Sequence, residues 1–309
     1  MQLIHDPTEL KPAGRKVCVA VGVFDGVHLG HQQVIRQTLA DAGQHEALAV
    51  AVTFDRHPNS IVAPDRVPPL IYSLPQKLRA VGGLGINVTW LIRFDQAFSR
   101  RPGAEFIRTL ARDFGALHSV CVGADFHFGH KRSGNVAMLR ELGKEIGFVV
   151  HGLSAVALDG QIISSTRIRN AIRAGQMDIT SQMLGRNYSI CGQVKKGAQL
   201  GREIGFPTAN IEVAGLVLPP NGVYAIRALA RGKTHRAVVN IGFRPTLQNP
   251  APKLHVEAHL LDFNEDLYGQ ELEISFVNRL RDEQKFSSLD ALRRQIERDI
   301  AAARHLFGA

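Results

Sequence analysis

Residues Gly22–His31 read GVFDGVHLGH and place two histidines, three glycines and one acid within ten positions. Gly26 and Gly30 lack a Cβ atom, so the backbone there can approach a phosphate group closely. His28 and His31 can donate hydrogen bonds to phosphate oxygens as negative charge builds during a reaction. The stretch, called the histidine turn below, is therefore a candidate phosphate-binding turn that uses Gly26, His28 and His31.

A surface position and a metal site are the alternatives to phosphate binding for this histidine pair. Two histidines three residues apart are more often surface residues than ligands of a bound group. A zinc site would need a third and a fourth ligand, and no residue is spaced convincingly for either role. His127 and His130 repeat the spacing, so spacing alone does not define a site.

A second set of phosphate-suited side chains lies in SSTRIR, residues 164–169. Ser164, Ser165 and Thr166 carry hydroxyl groups, and Arg169 carries a planar guanidinium that matches phosphate geometry. A helix N-cap followed by a solvated arginine is the simpler hypothesis. The functional hypothesis gains weight because this set and the histidine turn both follow strands and precede helices.

A third set lies in GREIGFPTANI, residues 201–211. Thr208 and Asn210 are two positions apart in an extended segment, so their side chains point to one face. Their oxygens could bind Mg²⁺, a hard cation that prefers oxygen ligands. A turn that enters a strand accounts for the same letters without any ligand.

Two further candidates lie on either side of this stretch. In LHVEAHLL, strand alternation places Glu257 on the polar face, where a solvated carboxylate is the simpler hypothesis. The segment KKGAQLGR supplies Lys195, Gly197 and Arg202, which suit a phosphate-binding loop. The chain contains no GxxxxGK[ST] pattern, so a P-loop kinase is excluded.

The first half of the chain alternates apolar strands with helices, which predicts a parallel sheet with helices on both faces. The helix after the last of these strands should end at Gly175. The predicted strands and helices alternate along residues 17–24, 31–43, 47–54, 88–94, 102–115, 118–126, 133–147, 148–156 and 164–175. Pro102 and Ser133 are the expected starting signals of the second and third helices.

From about residue 185 the pattern changes to short strands separated by Gly and Pro, which predicts an antiparallel barrel or sandwich. A last helix should begin after Ser288, with an apolar face of Leu289, Leu292, Ile296, Ile300 and Ala303. The boundary falls between residues 176 and 187. We therefore predict one domain over residues 1–184 and a second over residues 185–309.

Composition narrows the class of protein further. The 309 residues carry a net charge of +9, which favours phosphorylated or polyanionic partners. The start of the chain lacks the apolar core of a signal peptide, and no apolar run approaches membrane-spanning length. We therefore expect a cytoplasmic protein with no membrane partner. The three cysteines are far apart and predict buried thiols rather than a disulfide framework.

GVFDGVHLGH and ISSTRIR, together with TFDRHP and VGADFHFG, resemble the adenylylating module of prokaryotic bifunctional riboflavin kinase/FAD synthetases. These modules are nucleotidylyltransferases in which the phosphate of FMN attacks the α-phosphate of ATP, giving FAD and pyrophosphate. The resemblance implies that His28 and His31 hold the ATP phosphates and stabilise the transition state. It also implies that Ser165, Thr166 and Arg169 bind the triphosphate and that Asp125 lies near the nucleotide or the flavin.

The string PTAN and the segments that follow it resemble riboflavin kinases. That resemblance implies Mg²⁺ binding by Thr208 and Asn210, a catalytic base at Glu257, and ATP binding by Lys195, Gly197 and Arg202. The expected enzyme phosphorylates riboflavin to FMN and then adenylylates FMN, using Mg²⁺ and ATP for each step. No nucleic-acid partner is expected, and weak self-association stays open. The alternatives are a descendant with one activity and a non-enzymatic flavin- or nucleotide-binding regulator.

Overall fold

A computed structural model describes residues 1–197, 199–246 and 249–308 of the chain. The chain divides into two compact units, one of residues 1–70 with 74–165 and the other of residues 71–73 with 166–309. Within the described ranges, no helix combines the length and the apolar character that crossing a membrane requires.

The first unit is built on a six-stranded parallel sheet in the order β1-β4-β3-β2-β5-β6. A two-stranded hairpin, β7–β8, follows it. The strands are β1 (Gln2–Ile4), β2 (Val17–Val21), β3 (Leu48–Phe54), β4 (Val88–Ile92), β5 (Leu117–Gly123), β6 (Val149–Leu153), β7 (Ala157–Leu158) and β8 (Gln161–Ile162). The helices are α1 (Leu29–Gln44), α2 (Asn59–Val62), α3 (Leu74–Gly82), α4 (Gln96–Ser99), α5 (Gly103–Phe114) and α6 (Val136–Ile146).

Both faces of this sheet are buried, as the continuous apolar strands predict. Val17, Val19 and Val21 of β2 pack in one core cluster with residues of α5 and α6. Cys18 and Ala20 pack in a second cluster with residues of α1. Since successive side chains of a strand point to opposite faces, helices cover the sheet on both sides. The predicted layered architecture is confirmed.

Strand β2 is the point at which the chain changes direction across the sheet. It lies between β3 and β5, so the chain winds to one side after β2 and returns to the other side at β5. In doubly wound sheets, ligands bind beyond the carboxyl ends of the strands at such a point. The histidine turn follows β2 directly.

The predicted start of α6 is wrong. Asn135, not Ser133, caps this helix, because its side-chain oxygen accepts a hydrogen bond from Met138 N at 2.9 Å. Ser133 instead accepts a hydrogen bond from Gly103 N at 3.1 Å. Its hydroxyl therefore fixes the start of α5. The edge strand β1 and helix α3 are among the elements that were not predicted from the sequence.

The second unit is a closed antiparallel barrel in the order β10-β13-β12-β11-β14-β9. Its strands are β9 (Ser189–Lys195), β10 (Ala209–Ile211), β11 (Gly222–Ala230), β12 (Lys233–Thr246), β13 (Asn249–Leu260) and β14 (Glu271–Arg281). Its helices are α7 (Ser165–Arg173), whose first residue belongs to the first unit, α8 (Met177–Leu184), α9 (Leu200–Glu203) and α10 (Leu289–Leu306). Of the two predicted arrangements, barrel and sandwich, the barrel is confirmed.

Helix α10 closes the outer face of the barrel. Ser288 caps it as predicted, since its Oγ accepts a hydrogen bond from Ala291 N at 3.1 Å. Ala303 and Ile300 pack against Val223 and Val238 of the barrel. Leu289 is an exception to the predicted apolar face, because it lies exposed in the first turn of the helix. All three cysteines are free and buried, as expected.

Candidate active sites

The turn between β2 and α1 is held in an unusual backbone conformation. Gly26 has φ +78°, which glycine adopts easily, but Phe24 (+53°) and Val27 (+40°) also lie in the left-handed region. Both of these side chains are fully buried, and Gln32 Nε2 donates to Val27 O at 2.9 Å. Such strain persists only where the surroundings fix it, and it concentrates at functional sites.

The two histidines of this turn are stacked at the N-terminus of α1. Their ring centroids are 3.6 Å apart with an interplanar angle of 21°. His28 is the N-cap, and its Nδ1 accepts a hydrogen bond from His31 N at 3.4 Å. A neutral His28 ring that accepts at Nδ1 carries its proton on Nε2 and can donate there. The arrangement gives an imidazole donor at a helix terminus that already favours anions.

The turn and the serine-rich segment meet at one hydrogen bond. Ser165 Oγ donates to Asp25 O at 3.1 Å, within the first unit. Thr166 and Arg169 follow on α7, three positions apart and so adjacent on the helix surface. Thr166 is exposed, whereas Arg169 is buried. The solvated arginine that a plain helix N-cap would leave at this position is therefore not what forms here.

A cavity of about 620 Å³ opens beyond the carboxyl ends of β2, β3 and β4. Aromatic rings form much of its wall and basic side chains form its rim. The rings are Phe54, Phe94, Phe98, Phe106, Phe126 and Phe128, and the basic residues are Arg100, Arg101, His127, His130, Lys131 and Arg132. Asp125 is exposed on the adjoining loop and does not line this cavity.

The second HxxH pair has a structural role of its own. His127 Nδ1 lies 2.9 Å from Asp125 O, and His130 Nδ1 lies 3.3 Å from Ser99 O. These contacts brace the loop that forms one wall of the aromatic cavity. The two pairs therefore share a spacing but not a geometry.

In the second unit, strand register aligns polar residues of four strands in one row. Asn210 is opposite Lys195 on one side and Glu257 on the other, and Asn240 is opposite Glu257. Residues directly opposite in an antiparallel pair project from the same face of the sheet. Glu257 is only 8% exposed, so it is not the solvated carboxylate that strand alternation alone suggests.

Glu257 lines a cavity of about 280 Å³ between the barrel and α10. Thr208, Asn240 and His259 contribute its other polar groups near Glu257. The apolar wall consists of Ile204, Phe206, Val223, Val238, Phe286, Leu292, Ile296 and Ile300. Thr208 also lines a second cavity, of about 390 Å³, to which Arg202 and Tyr268 contribute. Thr208 is therefore shared by an apolar cavity and a more open one.

The loop before β10 needs glycine because it passes close to the metal-ligand candidates. A Cβ atom at Gly201 would collide with Phe206 O and lie 3.3 Å from Thr208 Oγ1. A Cβ atom at Gly197 would collide with the side-chain amide of Asn210. The Nζ atom of Lys195 contacts Gln193 and Glu212, and Lys195 is not among the residues that line either cavity.

Comparisons with known proteins match both halves of the chain. A family model described as FAD synthetase matches residues 10–167, and one described as riboflavin kinase matches residues 184–307. The bifunctional riboflavin kinase/FMN adenylyltransferase of Pseudomonas fluorescens is 37% identical over 99% of this chain and 98% of its own length. This chain belongs to that bifunctional family. The enzyme of the same description from Haemophilus influenzae is 36% identical over the full length of both chains.

A solved structure from Streptococcus pneumoniae, described as a macrolide-efflux protein, covers 98% of both chains with a TM-score of 0.83 and 27% identity. Family membership establishes the activities of this enzyme. It phosphorylates riboflavin to FMN and adenylylates FMN to FAD, with ATP as co-substrate in both reactions. Both reactions imply a divalent metal ion, because the phosphate groups of ATP must be neutralised.

Three features of this bifunctional enzyme escape the sequence reasoning. The aromatic cavity is assembled from phenylalanines that are scattered over residues 54–128, so no local motif marks it. Arg281 and Asp299 form a bidentate ion pair at 2.9–3.0 Å between β14 and α10, and both line the cavity beside Glu257. The third feature is Lys77, which is buried on α3. From the apolar pattern of a strand or a helix, Arg281, Asp299 and Lys77 would each be predicted to lie on the surface.

Proposed function

We propose that the histidine turn binds the phosphates of ATP during FAD formation, with Gly26 giving the backbone room and His28 and His31 donating hydrogen bonds. The stacked rings at the N-terminus of α1 support this assignment. The phosphate of FMN is itself the nucleophile, so the protein need not supply one. Its contribution is to hold both substrates in line and to stabilise the charge that accumulates on the departing pyrophosphate.

The roles of the remaining adenylyltransferase residues are proposed from the sequence motifs that the chain shares with the family. Ser165, Thr166 and Arg169 are proposed to bind the triphosphate, and Asp125 is proposed to lie near the nucleotide or the flavin. The aromatic cavity is proposed to take the isoalloxazine ring of FMN, since flat aromatic ligands stack on aromatic side chains. Its basic rim suits the phosphate of FMN.

For the kinase reaction, we propose that Glu257 accepts the proton of the riboflavin hydroxyl that attacks the γ-phosphate of ATP. The single observation that carries this proposal is the position of Thr208, which lines the apolar cavity with Glu257 and the open cavity with Arg202. Riboflavin in the first and ATP in the second would meet at this residue. Lys195, Gly197 and Arg202 are proposed as the ATP-binding loop.

We propose Mg²⁺ as the divalent metal of the kinase site, held by Thr208 and Asn210. Their donor atoms are oxygens, and the glycines at 197 and 201 leave space over them that a Cβ atom would fill. When bound, Mg²⁺ neutralises phosphate charge on ATP. The protein's own residues orient the two substrates, and Glu257 removes the proton. Cytoplasmic localisation, weak self-association and the lack of a nucleic-acid partner stay predictions.

Product analysis tests the metal and the two activities together. Riboflavin, ATP and MgCl₂ should give FMN first and then FAD on a chromatogram, and excess EDTA should abolish both products. Replacement of Mg²⁺ by Ca²⁺ should slow FMN formation strongly, because Ca²⁺ is larger and takes more ligands. Equal rates with Ca²⁺ would contradict the magnesium assignment. FMN without FAD would indicate a single activity, and neither product would indicate a regulator.

We also propose that residues 185–309 form the kinase domain, and expression of that segment alone tests the boundary. The fragment should fold and phosphorylate riboflavin, since it contains both cavities. It should be less stable than the full chain, because Arg186 Nε then lacks its 2.9 Å hydrogen bond to Tyr72. Full-length Tyr72→Phe is the matched control for that loss. An inert 185–309 fragment beside an active 166–309 fragment would move the boundary to residue 166.

A further inference from the structure

Lys77 of α3 places an ammonium group beneath the carboxyl ends of β2 and β3. Its Nζ donates to Phe54 O at 2.7 Å, to Val23 O at 3.3 Å and to Thr53 Oγ1 at 3.3 Å. Val23 follows β2 and opens the histidine turn, and Phe54 ends β3. One side chain therefore ties together the two neighbouring strand ends from which the proposed ATP site and the aromatic cavity begin.

The three hydrogen-bond acceptors of Lys77 are neutral oxygens, which makes its burial expensive. Only 7% of the residue is exposed, and a buried charge without an opposite charge in direct contact is disfavoured. Burial lowers the pKa of Lys77 to about 8, although the charges of Asp25 and Asp55 act in the opposite direction. Fold stability alone does not call for a cation here, since an apolar side chain of similar length could fill the space.

The charges that face Lys77 come from the loops that follow β2 and β3. Asp25 lies in the histidine turn, and Asp55 follows β3. Burial opposes the ionisation of Asp55, but hydrogen bonds from Arg56 and from Phe94 N hold its pKa below the ordinary value. Thr53 Oγ1 also donates to Val23 O at 3.1 Å, which closes a small network around the ammonium. Lys77 is the cation of this network. It lies at the carboxyl ends of the strands, where ligands of doubly wound sheets bind.

We propose that Lys77 is a positioning residue of the adenylyltransferase, which fixes the start of the histidine turn and supplies buried positive charge that favours ATP. This inference rests on the proposed phosphate-binding role of the turn. It accounts for the presence of a lysine in a site that disfavours its charge. A bound polyphosphate lowers the free energy of the protonated form, so protonated Lys77 and ATP favour each other.

The sign of the pH dependence follows from the direction of this shift. At neutral pH Lys77 is charged, and it loses its proton as the pH rises through about 8. The kcat/KM for ATP in FAD formation should therefore fall between pH 7 and 9.5. FMN formation by the same polypeptide should lack this fall, since the kinase site lies in the other unit and does not include Lys77.

Three variants test the proposal, with FAD and FMN formation and thermal unfolding measured on each. Lys77→Met removes the charge and should lower kcat/KM for ATP in FAD formation by roughly tenfold to a hundredfold, with a flat pH profile. Lys77→Arg retains the charge and should restore much of the activity while also removing the alkaline fall. Lys144→Met, at an exposed lysine of α6, is the control and should behave as wild type.

Each outcome decides the proposal. Normal FAD formation by Lys77→Met overturns it, as does an alkaline fall that persists in Lys77→Met or Lys77→Arg. A wild-type profile without any fall overturns it as well. If Lys77→Met does not fold, an active Lys77→Arg enzyme with a flat profile supports the proposal. If His28→Ala keeps full FAD formation, the proposed phosphate-binding role of the histidine turn fails. If His28→Ala lowers FAD formation and Lys77→Met does not, only the positioning role of Lys77 is overturned.

Discussion

Glu257→Gln should lower the rate of FMN formation by about two to four orders of magnitude, the usual contribution of a positioned general base. Glutamine has nearly the same shape as glutamate and fits the same buried position, but it cannot accept the proton of the riboflavin hydroxyl. The expected loss is therefore in kcat, with little change in the KM for riboflavin. The measurement is the initial rate of FMN formation from riboflavin and ATP.

Two controls separate the loss of the base from general damage to the kinase unit. FAD formation from supplied FMN should be unchanged, since it occurs in the other unit. Glu297→Gln removes an exposed carboxylate of α10 that pairs with Arg293, and it should leave both activities intact. Normal FMN formation by Glu257→Gln would remove the base assignment. Loss of binding together with loss of rate would point instead to a role in holding riboflavin.

Glu257 also illustrates how far a sequence pattern reaches. Strand alternation correctly places it on the face opposite the apolar residues Val256 and Ala258. The pattern then suggests solvent, because it describes one strand and not what covers it. Helix α10 is more than thirty residues further along the chain, and its packing on that face buries the carboxylate. Burial by a helix that is distant in sequence results from tertiary packing, which the local periodicity of one strand does not predict.

The layered sheet and the barrel could be predicted, because the sequence patterns that indicate them are local. Continuous apolar strands followed by helices require burial on both faces, and short strands between Gly and Pro require tight connections. Local capping signals were less reliable. Ser133 and Asn135 are both good N-caps, and the choice falls on Asn135 because Ser133 Oγ accepts a hydrogen bond from Gly103 N instead.

The histidine turn was found from its residue types, but the features that support it were not. The strain at Phe24 and Val27 depends on burial of both side chains, and the lysine beneath the turn is on a helix that the sequence did not predict. Nothing in the local sequence of Lys77 distinguishes it from a solvated lysine. The chemistry of the site is thus readable from sequence, whereas its electrostatic support requires the fold.

His28→Ala should lower the rate of FAD formation by roughly two orders of magnitude or more, which is the typical effect of removing one transition-state hydrogen-bond donor. FMN formation should continue at the wild-type rate, so that riboflavin is converted to FMN and the FMN accumulates. The measurement is chromatographic product analysis with riboflavin, and separately with FMN, as the starting flavin. Equal loss of both products would contradict separate sites.

Alanine at this position removes two interactions, and asparagine separates them. His28 caps α1 by accepting a hydrogen bond from His31 N, and loss of a cap destabilises a protein by about 1 kcal/mol. Asparagine is a good N-cap but lacks the imidazole donor, so His28→Asn should keep the thermal stability that His28→Ala loses. Both variants should lose FAD formation alike if the imidazole acts on phosphate. If His28→Asn is active, the residue serves the helix and not the reaction. His45→Ala, at the exposed other end of α1, controls for the loss of a histidine from the same helix.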